Sequence, residues 1–229
     1  MEGALIRALG KIFKSRLSLT GAGRTDSGVH ALGQVVNFKS ALHIPPVNLK
    51  LAINSCLPRA IRVLDVNMVP AIFNARRSAK SREYRYLFTQ HELPVYFDDV
   101  VAQVPFVPDL RFFSDIAYIL KGKHDFSNFK CQGSSDVLTM KTIYEIGMEQ
   151  RPIEDIFNMG FAFNCYSFRI VADSFLYRMV RNILGAVFQV LRGTRTIDEF
   201  RLLLTDVSHK AFNYTLAPAK GLCLVKVNY

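Results

Sequence analysis

The chain has 229 residues, half of them hydrophobic and 12% aromatic, which excludes a disordered polar chain and allows one large core or two small ones. Lysine and arginine outnumber aspartate and glutamate 29 to 19, a net charge of +10, so a polyanionic partner is expected; no long basic run marks a disordered tail. Cys56, Cys131, Cys165 and Cys223 are scattered with no C-x-x-C pair, which excludes a thiolate zinc site and fits a reducing compartment.

No signal-peptide pattern is visible in the first residues. The most apolar stretch, Phe175 to Leu191, carries Arg178 and Arg181, so no membrane span is expected and the expected location is the cytoplasm. Leu5, Ile6, Leu9, Ile12 and Phe13 recur at helical spacing and predict an amphipathic helix over residues 2–14. Leu17 to Thr20 and Val35 to Phe38 read as short strands flanking Gly21-Ala-Gly-Arg-Thr-Asp-Ser-Gly-Val-His30. Gly21, Gly23, Gly28 and Gly33 predict strand, tight turn, strand, because glycine takes φ > 0 without a steric penalty. Asp26 stands near Arg24 in that turn, which is either a chemical site or a hairpin whose aspartate caps a turn. Three known motifs fail here. A P-loop needs Lys-Ser/Thr where Val29-His30 stands, a dinucleotide fingerprint needs glycine in place of Asp26, and an aspartic-protease site needs a second Asp-Ser/Thr-Gly.

Pro45-Pro46 followed by Val47, Leu49, Leu51, Ala52 and Ile53 predicts a helix entered through proline and ended within Asn54 to Pro58. Ile61 to Val69 is β-rich and closed by Pro70, and the boundary between two halves, residues 1–70 and 71–229, is placed there. Phe73 to Lys80 is a polar, basic connection. Tyr84, Tyr86 and Phe88 then alternate with Arg85 and Leu87, the pattern of a strand with an aromatic face. Such a face fills a core or, with arginines nearby, stacks on a nucleobase. Tyr86 and Phe88 are expected in the core.

Leu110 to Leu120 predicts a helix stopped at Gly122, followed by the loop His124-Asp-Phe-Ser-Asn-Phe129. His124 beside Asp125 invites acid–base chemistry, but adjacent residues seldom converge on one substrate atom, so a structural loop is expected. Thr139 to Glu149 and Phe161 to Val171 predict strands joined through Arg151-Pro152. The longest helix should be capped near Asp173 or Ser174 and end at Gly193. It carries Leu176, Val180, Ile183, Leu184, Val187 and Leu191 on one stripe, with Arg178, Arg181, Gly185, Gln189 and Arg192 opposite. That polar stripe is either a solvated face or, with Gly185 in it, a place where another chain or an RNA backbone approaches. Thr196-Ile-Asp-Glu199 is a capping box opening a helix to Leu204. Lys220 to Tyr229 reads as a strand with Cys223, Val225, Val227 and Tyr229 on one face. Helices mixed with long sequential strands indicate an α+β fold with an antiparallel sheet.

Gly23-Arg-Thr-Asp-Ser-Gly-Val-His-Ala31 resembles the signature of the TruA-type tRNA pseudouridine synthases. The resemblance extends in family order through Ala75-Arg76, Tyr84-Arg-Tyr86, Gly122-Lys-His-Asp-Phe126, Met179-Val-Arg-Asn-Ile183 and Lys220-Gly-Leu222, nearly the whole chain. It implies two ferredoxin-like halves sharing a central, mainly antiparallel sheet, with helices packed on it and a catalytic cleft between them. It also implies isomerisation of uridine to pseudouridine at positions 38 to 40 of the tRNA anticodon arm, by a homodimer that one tRNA crosses. The ribose moves from uracil N1 to C5 with nothing oxidised or added, so no cofactor or metal is expected.

Residue by residue, the resemblance implies Asp26 as the catalytic carboxylate, either nucleophile or acid–base group. Arg181 is implied as the guanidinium that favours its charged form. Tyr84 would stack on the target base or relay protons, and Arg24 and Arg76 would contact the RNA and hold the nucleotide out of its stack. Two departures stand out. Asn74 takes the place where the family commonly has histidine. Met1 to Leu5 resemble the inside of a helix that, in the family, follows a first strand and a Tyr-Asp-Gly…Gly-Trp-Gln segment. The chain is therefore expected to lack that strand, and the alternative reading is a catalytically weak or inactive RNA-binding member of the same fold.

Overall fold

The computed structural model describes residues 1–131, 137–153, 163–206 and 214–229. In chain order the elements are α1 (Glu2–Phe13), β1 (Thr20–Gly21), β2 (His30–Ala31), β3 (Val36–Asn37), α2 (Pro46–Cys56), β4 (Ser81–Thr89), β5 (Ala102–Gln103), α3 (Phe113–Leu120), β6 (Gly122–Asp125), β7 (Met140–Ile153), β8 (Phe163–Ala172), α4 (Met179–Leu191), α5 (Ile197–Thr205) and β9 (Leu222–Asn228). They fall into two compact units: Met1–Arg24 with Val35–Ala79, and Thr25–Gln34 with Lys80–Tyr229. No helix among the described residues is long and apolar enough to cross a membrane.

In the first unit, the predicted helices α1 and α2 form because each carries apolar residues a turn apart. Leu5, Leu9 and Phe13 bury against Leu49 and Ile53, and Phe38 meets Phe13 edge-on with ring centroids 5.8 Å apart. β1 and β3 pair antiparallel, Thr20 opposite Asn37 and Gly21 opposite Val36. They are shorter than predicted and no tight turn joins them. The connection spans residues 22–35, and its middle belongs to the second unit. The β-rich run Ile61 to Val69 forms no strand. A side chain meets its backbone instead: Asn54 donates to the Val63 carbonyl at 2.9 Å and accepts the Val63 N–H at 2.8 Å. Val63 and Val66 pack on the α1–α2 core, so the apolar alternation there serves packing without a ladder.

The second unit carries a seven-stranded sheet in the order β2-β9-β4-β8-β7-β6, with β5 beside β4. The β2–β9 and β4–β5 pairs are parallel and the rest antiparallel, giving an α+β fold with a mostly antiparallel sheet. Tyr86 and Phe88 of β4 are fully buried, as predicted. Phe188 of α4 lies 6.1 and 4.9 Å from their ring centroids, so α4 crosses directly over β4. Arg151 and Pro152 do not join two strands; they continue β7, opposite Cys165 and Asn164. Among the described residues β6 pairs with β7 at Met140–Ile143 and no strand lies beside Pro152 on that side, so its missing N–H breaks no described ladder there. The predicted start of the next strand, Phe161, lies outside the described residues.

The face of β9 also differs. A bulge sets Glu83 opposite Lys226 and Tyr84 opposite Leu224, skipping Val225. The extra residue shifts the alternation part-way along the strand, so Leu222 and Leu224 are buried in place of the predicted Cys223 and Val225, while Val227 is buried as predicted. His124 and Asp125, predicted in a loop, end β6 opposite Lys141 and Met140, and the turn after them is held within the fold. Ser127 N–H donates to Asp125 Oδ1 at 2.9 Å, and Asn128 Nδ2 donates to the Leu203 and Asp206 carbonyls at the end of α5.

α4 begins after the predicted cap. Asp173 uses its carboxylate on the N–H groups of Ser174 and Thr142 instead. Of the polar stripe's members only Arg192, just past the helix end, is exposed. Every α4 residue except Arg181 and Gln189 is buried, so within the helix the polar stripe is not a solvated face. The chain itself covers it. A Cβ on Gly185 would fall 2.2 Å from the Thr215 carbonyl, and Ala217 N–H donates to the Arg181 carbonyl at 3.2 Å. Gly185 therefore admits this chain's own backbone, not an RNA backbone.

Candidate active site

Asp26 opens a four-residue turn. Val29 N–H donates to its carbonyl at 3.2 Å, and Gly28, at φ 82°, takes the left-handed position that turn requires. β2 follows at once and runs parallel to β9, His30 opposite Cys223 and Ala31 opposite Leu224. The N–H groups of Leu32 and Gly33 both donate to the Leu224 carbonyl, at 2.9 and 3.1 Å. Gly33 is where the two backbones come closest, since a Cβ would lie 2.2 Å from the Val225 carbonyl. These bonds seat the aspartate loop on the sheet edge.

Arg181 reaches that loop from the first turn of α4. Its Nη1 donates to Asp26 Oδ2 at 2.5 Å and its Nε donates to the Ala217 carbonyl at 2.8 Å. Both charged side chains are close to nine-tenths buried, 12% and 11% exposed. Removing one member of such a pair typically costs about 3–5 kcal/mol, because the other is left buried and unopposed. Arg178, just before α4, approaches the same oxygen, with Nε 3.5 Å from Oδ2. Both arginine contacts to the Asp26 carboxylate fall on Oδ2, and no hydrogen-bond donor among the described residues is placed on Oδ1.

Tyr84 stands on β4 within electrostatic reach of Asp26, 9% exposed, its ring edge-on to Phe175 with centroids 5.2 Å apart. Burial pushes its phenol up to about 12; Arg82 opposes the shift and the Asp26 charge adds to it. At neutral pH the ring is therefore uncharged, able to stack or to donate a hydrogen bond but not to act as a phenolate. Among the described residues no three His, Cys, Asp or Glu side chains gather where a metal ion could be held.

The sequence model described as "tRNA pseudouridine synthase" matches residues 3–76 and 116–229. A "tRNA pseudouridine synthase A" of Thermoanaerobacter sp. (strain X514) is 35% identical over 230 residues, spanning 100% of this chain and 89% of the relative. The protein of the same name from Anoxybacillus flavithermus (strain DSM 21510 / WK1) is 36% identical over 231 residues, with the same coverage. That of Borrelia hermsii (strain HS1 / DAH) is 33% identical over 230 residues. The chain belongs to the tRNA pseudouridine synthase family.

For this synthase-family chain, the structure brings Asp26, Arg181 and Tyr84 into one unit and puts Arg24 and Arg76 in the other, both exposed. Asn74 explains how Arg76 is presented. Its Oδ1 accepts the N–H groups of Arg76 and Arg77 at 3.1 and 3.0 Å, while Asn37 Oδ1 accepts the Ala75 N–H at 2.8 Å. An asparagine in place of the family's histidine therefore builds the turn that carries the arginine. Two participants at the site had no distinct signal in the sequence. Arg178 reads only as one member of a polar stripe, and the Ala217 carbonyl is a backbone group.

The seat of the loop is testable. Gly33→Ala forces β2 away from β9, and a displacement of about 1 Å at a reacting group costs about a hundredfold in rate. The synthase kcat is expected to fall by about that factor while the far-ultraviolet circular dichroism stays native. A wild-type kcat would show that the aspartate loop does not depend on the Gly33–Val225 approach.

Proposed function

We propose that this chain isomerises uridine to pseudouridine at positions 38 to 40 in the anticodon arm of tRNA, with Asp26 as its catalytic carboxylate. One observation carries the reading: a buried carboxylate held through Oδ2 by Arg181, with no donor among the described residues on Oδ1 and a neutral tyrosine within its electrostatic reach. In the reaction the N1–C1′ bond breaks, the base turns, and a C5–C1′ bond forms. A proton leaves C5 and N1 gains one, so the composition is unchanged and no cofactor is needed. Asp26 Oδ1 acts on the ribose or the base, and Arg181 fixes the carboxylate's orientation. Tyr84 stacks on the uracil or donates to it. Arg24 and Arg76 contact the RNA and hold the nucleotide out of its stack.

The resemblance further supports a cytoplasmic homodimer built from two ferredoxin-like halves, residues 1–70 and 71–229, with one tRNA crossing both subunits. Light scattering on the purified chain should give the mass of a dimer. Unmodified tRNA carrying tritium at uridine C5 should release it on incubation, with the product mapping to positions 38 to 40. Binding without release would establish the alternative, an RNA-binding member without activity. The net charge of +10 adds a prediction about affinity. If several phosphates are contacted, tRNA affinity should fall at least about tenfold between roughly 50 and 200 mM salt. A flat dependence would make the basic balance incidental.

A further inference from the structure

We propose that Arg178 is a second substrate-contacting arginine, gripping the backbone phosphate of the nucleotide that enters the Asp26 site. The inference rests on Asp26 being the catalytic carboxylate. Among the described residues two guanidinium groups face that single carboxylate, which leaves one positive charge of the cluster unopposed there. Arg181 does not supply it. Its Nε and Nη1 are spent on Ala217 and Asp26, and it is 12% exposed. Arg178 is different, at 35% exposed. Among the described residues it makes no hydrogen bond to Asp26, its Nε is buried with no hydrogen-bond partner, and its Nη1 meets Cys131 Sγ at 3.8 Å, a weak acceptor. Uracil and ribose bring no charge to the site. The phosphodiester does, and a guanidinium takes it through paired N–H donors.

Two further features fit this use. The Tyr177 ring lies under the guanidinium, 4.8 Å from centroid to Cζ, which holds the fork's plane in place before RNA arrives. Arg178 also sits at φ 60° and ψ 10°, left-handed, as the residue capping α4. Glycine or asparagine takes that backbone more easily, and a residue of this kind at a helix start normally caps through a short polar side chain. The position is therefore poor for stability and good for placing a guanidinium at the carboxylate.

Arg178→Gly separates the two roles, because it relieves the backbone while deleting the fork. The melting temperature should hold or rise. The dissociation constant for tRNA should rise about tenfold, and the slope of log affinity against log salt should become shallower by about 0.7–0.9, the share of one phosphate. KM should change more than kcat. Arg178→Lys should restore the salt slope and only part of the affinity, since a point charge lacks the paired donors. Binding is measured in the Asp26→Asn background as well. Turnover by Asp26→Asn alone would remove the reading of the site on which the proposal stands. Inert Asp26→Asn, combined with wild-type affinity and salt slope for Arg178→Gly, overturns the proposal itself. A lower melting temperature with an unchanged salt slope overturns it too, by making Arg178 structural.

Discussion

Asp26→Asn is expected to cut pseudouridine formation by about a thousandfold or more while leaving tRNA affinity nearly unchanged. The amide keeps the side chain's volume, and its oxygen still accepts the Arg181 hydrogen bond that Oδ2 takes at 2.5 Å. It can neither attack carbon nor exchange a proton at Oδ1, so the loss falls on chemistry and not on shape. Arg181 and Arg178 then face each other with no anion between them, so the melting temperature should drop as well. Tritium release is therefore to be read well below the melting transition. Turnover near the wild-type rate would remove Asp26 from the mechanism.

Arg181→Met is the second large effect, an expected loss of about a hundredfold or more in single-turnover rate. Methionine fills a similar length but leaves Asp26 Oδ2 and the Ala217 carbonyl without their donors. The carboxylate loses its orientation, and Ala217 keeps its N–H bond to the residue 181 carbonyl but loses the side-chain one. Because both charged side chains are only 11–12% exposed, screening by water is weak, and the fold should lose about 3–5 kcal/mol. Arg181→Lys distinguishes charge from geometry. A single ammonium cannot serve Asp26 and Ala217 in the fork arrangement, so the rate should recover only in part. A wild-type single-turnover rate in Arg181→Met would place the residue outside the reaction.

The elements that were legible in the sequence are those whose signals are local. α1 and α2 follow from apolar residues one turn apart, α5 from its capping box, and β4 from the alternation of Tyr84, Tyr86 and Phe88. The misreadings share one cause. Apolar alternation in Ile61 to Val69 reports contact with a core, and only the placement of Asn54 shows that no strand lies alongside. One bulge opposite Glu83 and Tyr84 turns over the parity of β9 at Leu222 and Leu224 while leaving Val227 inside, and no residue type marks it.

The chemistry-bearing residues divide in the same way. Asp26, Arg181 and Tyr84 could be named from motifs, each short and contiguous. That Arg181 meets Asp26 across 155 residues, that the rear of α4 is closed by Thr215 and Ala217, and that Arg178 brings a second charge to Oδ2 depended on tertiary structure alone. Periodicity and capping are set by neighbours a few residues away, so the sequence by itself determined the helices, the aromatic strand and the identity of the candidate groups. Burial and charge pairing are set by whatever the rest of the chain brings within a few ångströms. A stripe of arginines therefore reads the same whether water, its own backbone or a carboxylate lies against it, and only the folded chain decided which.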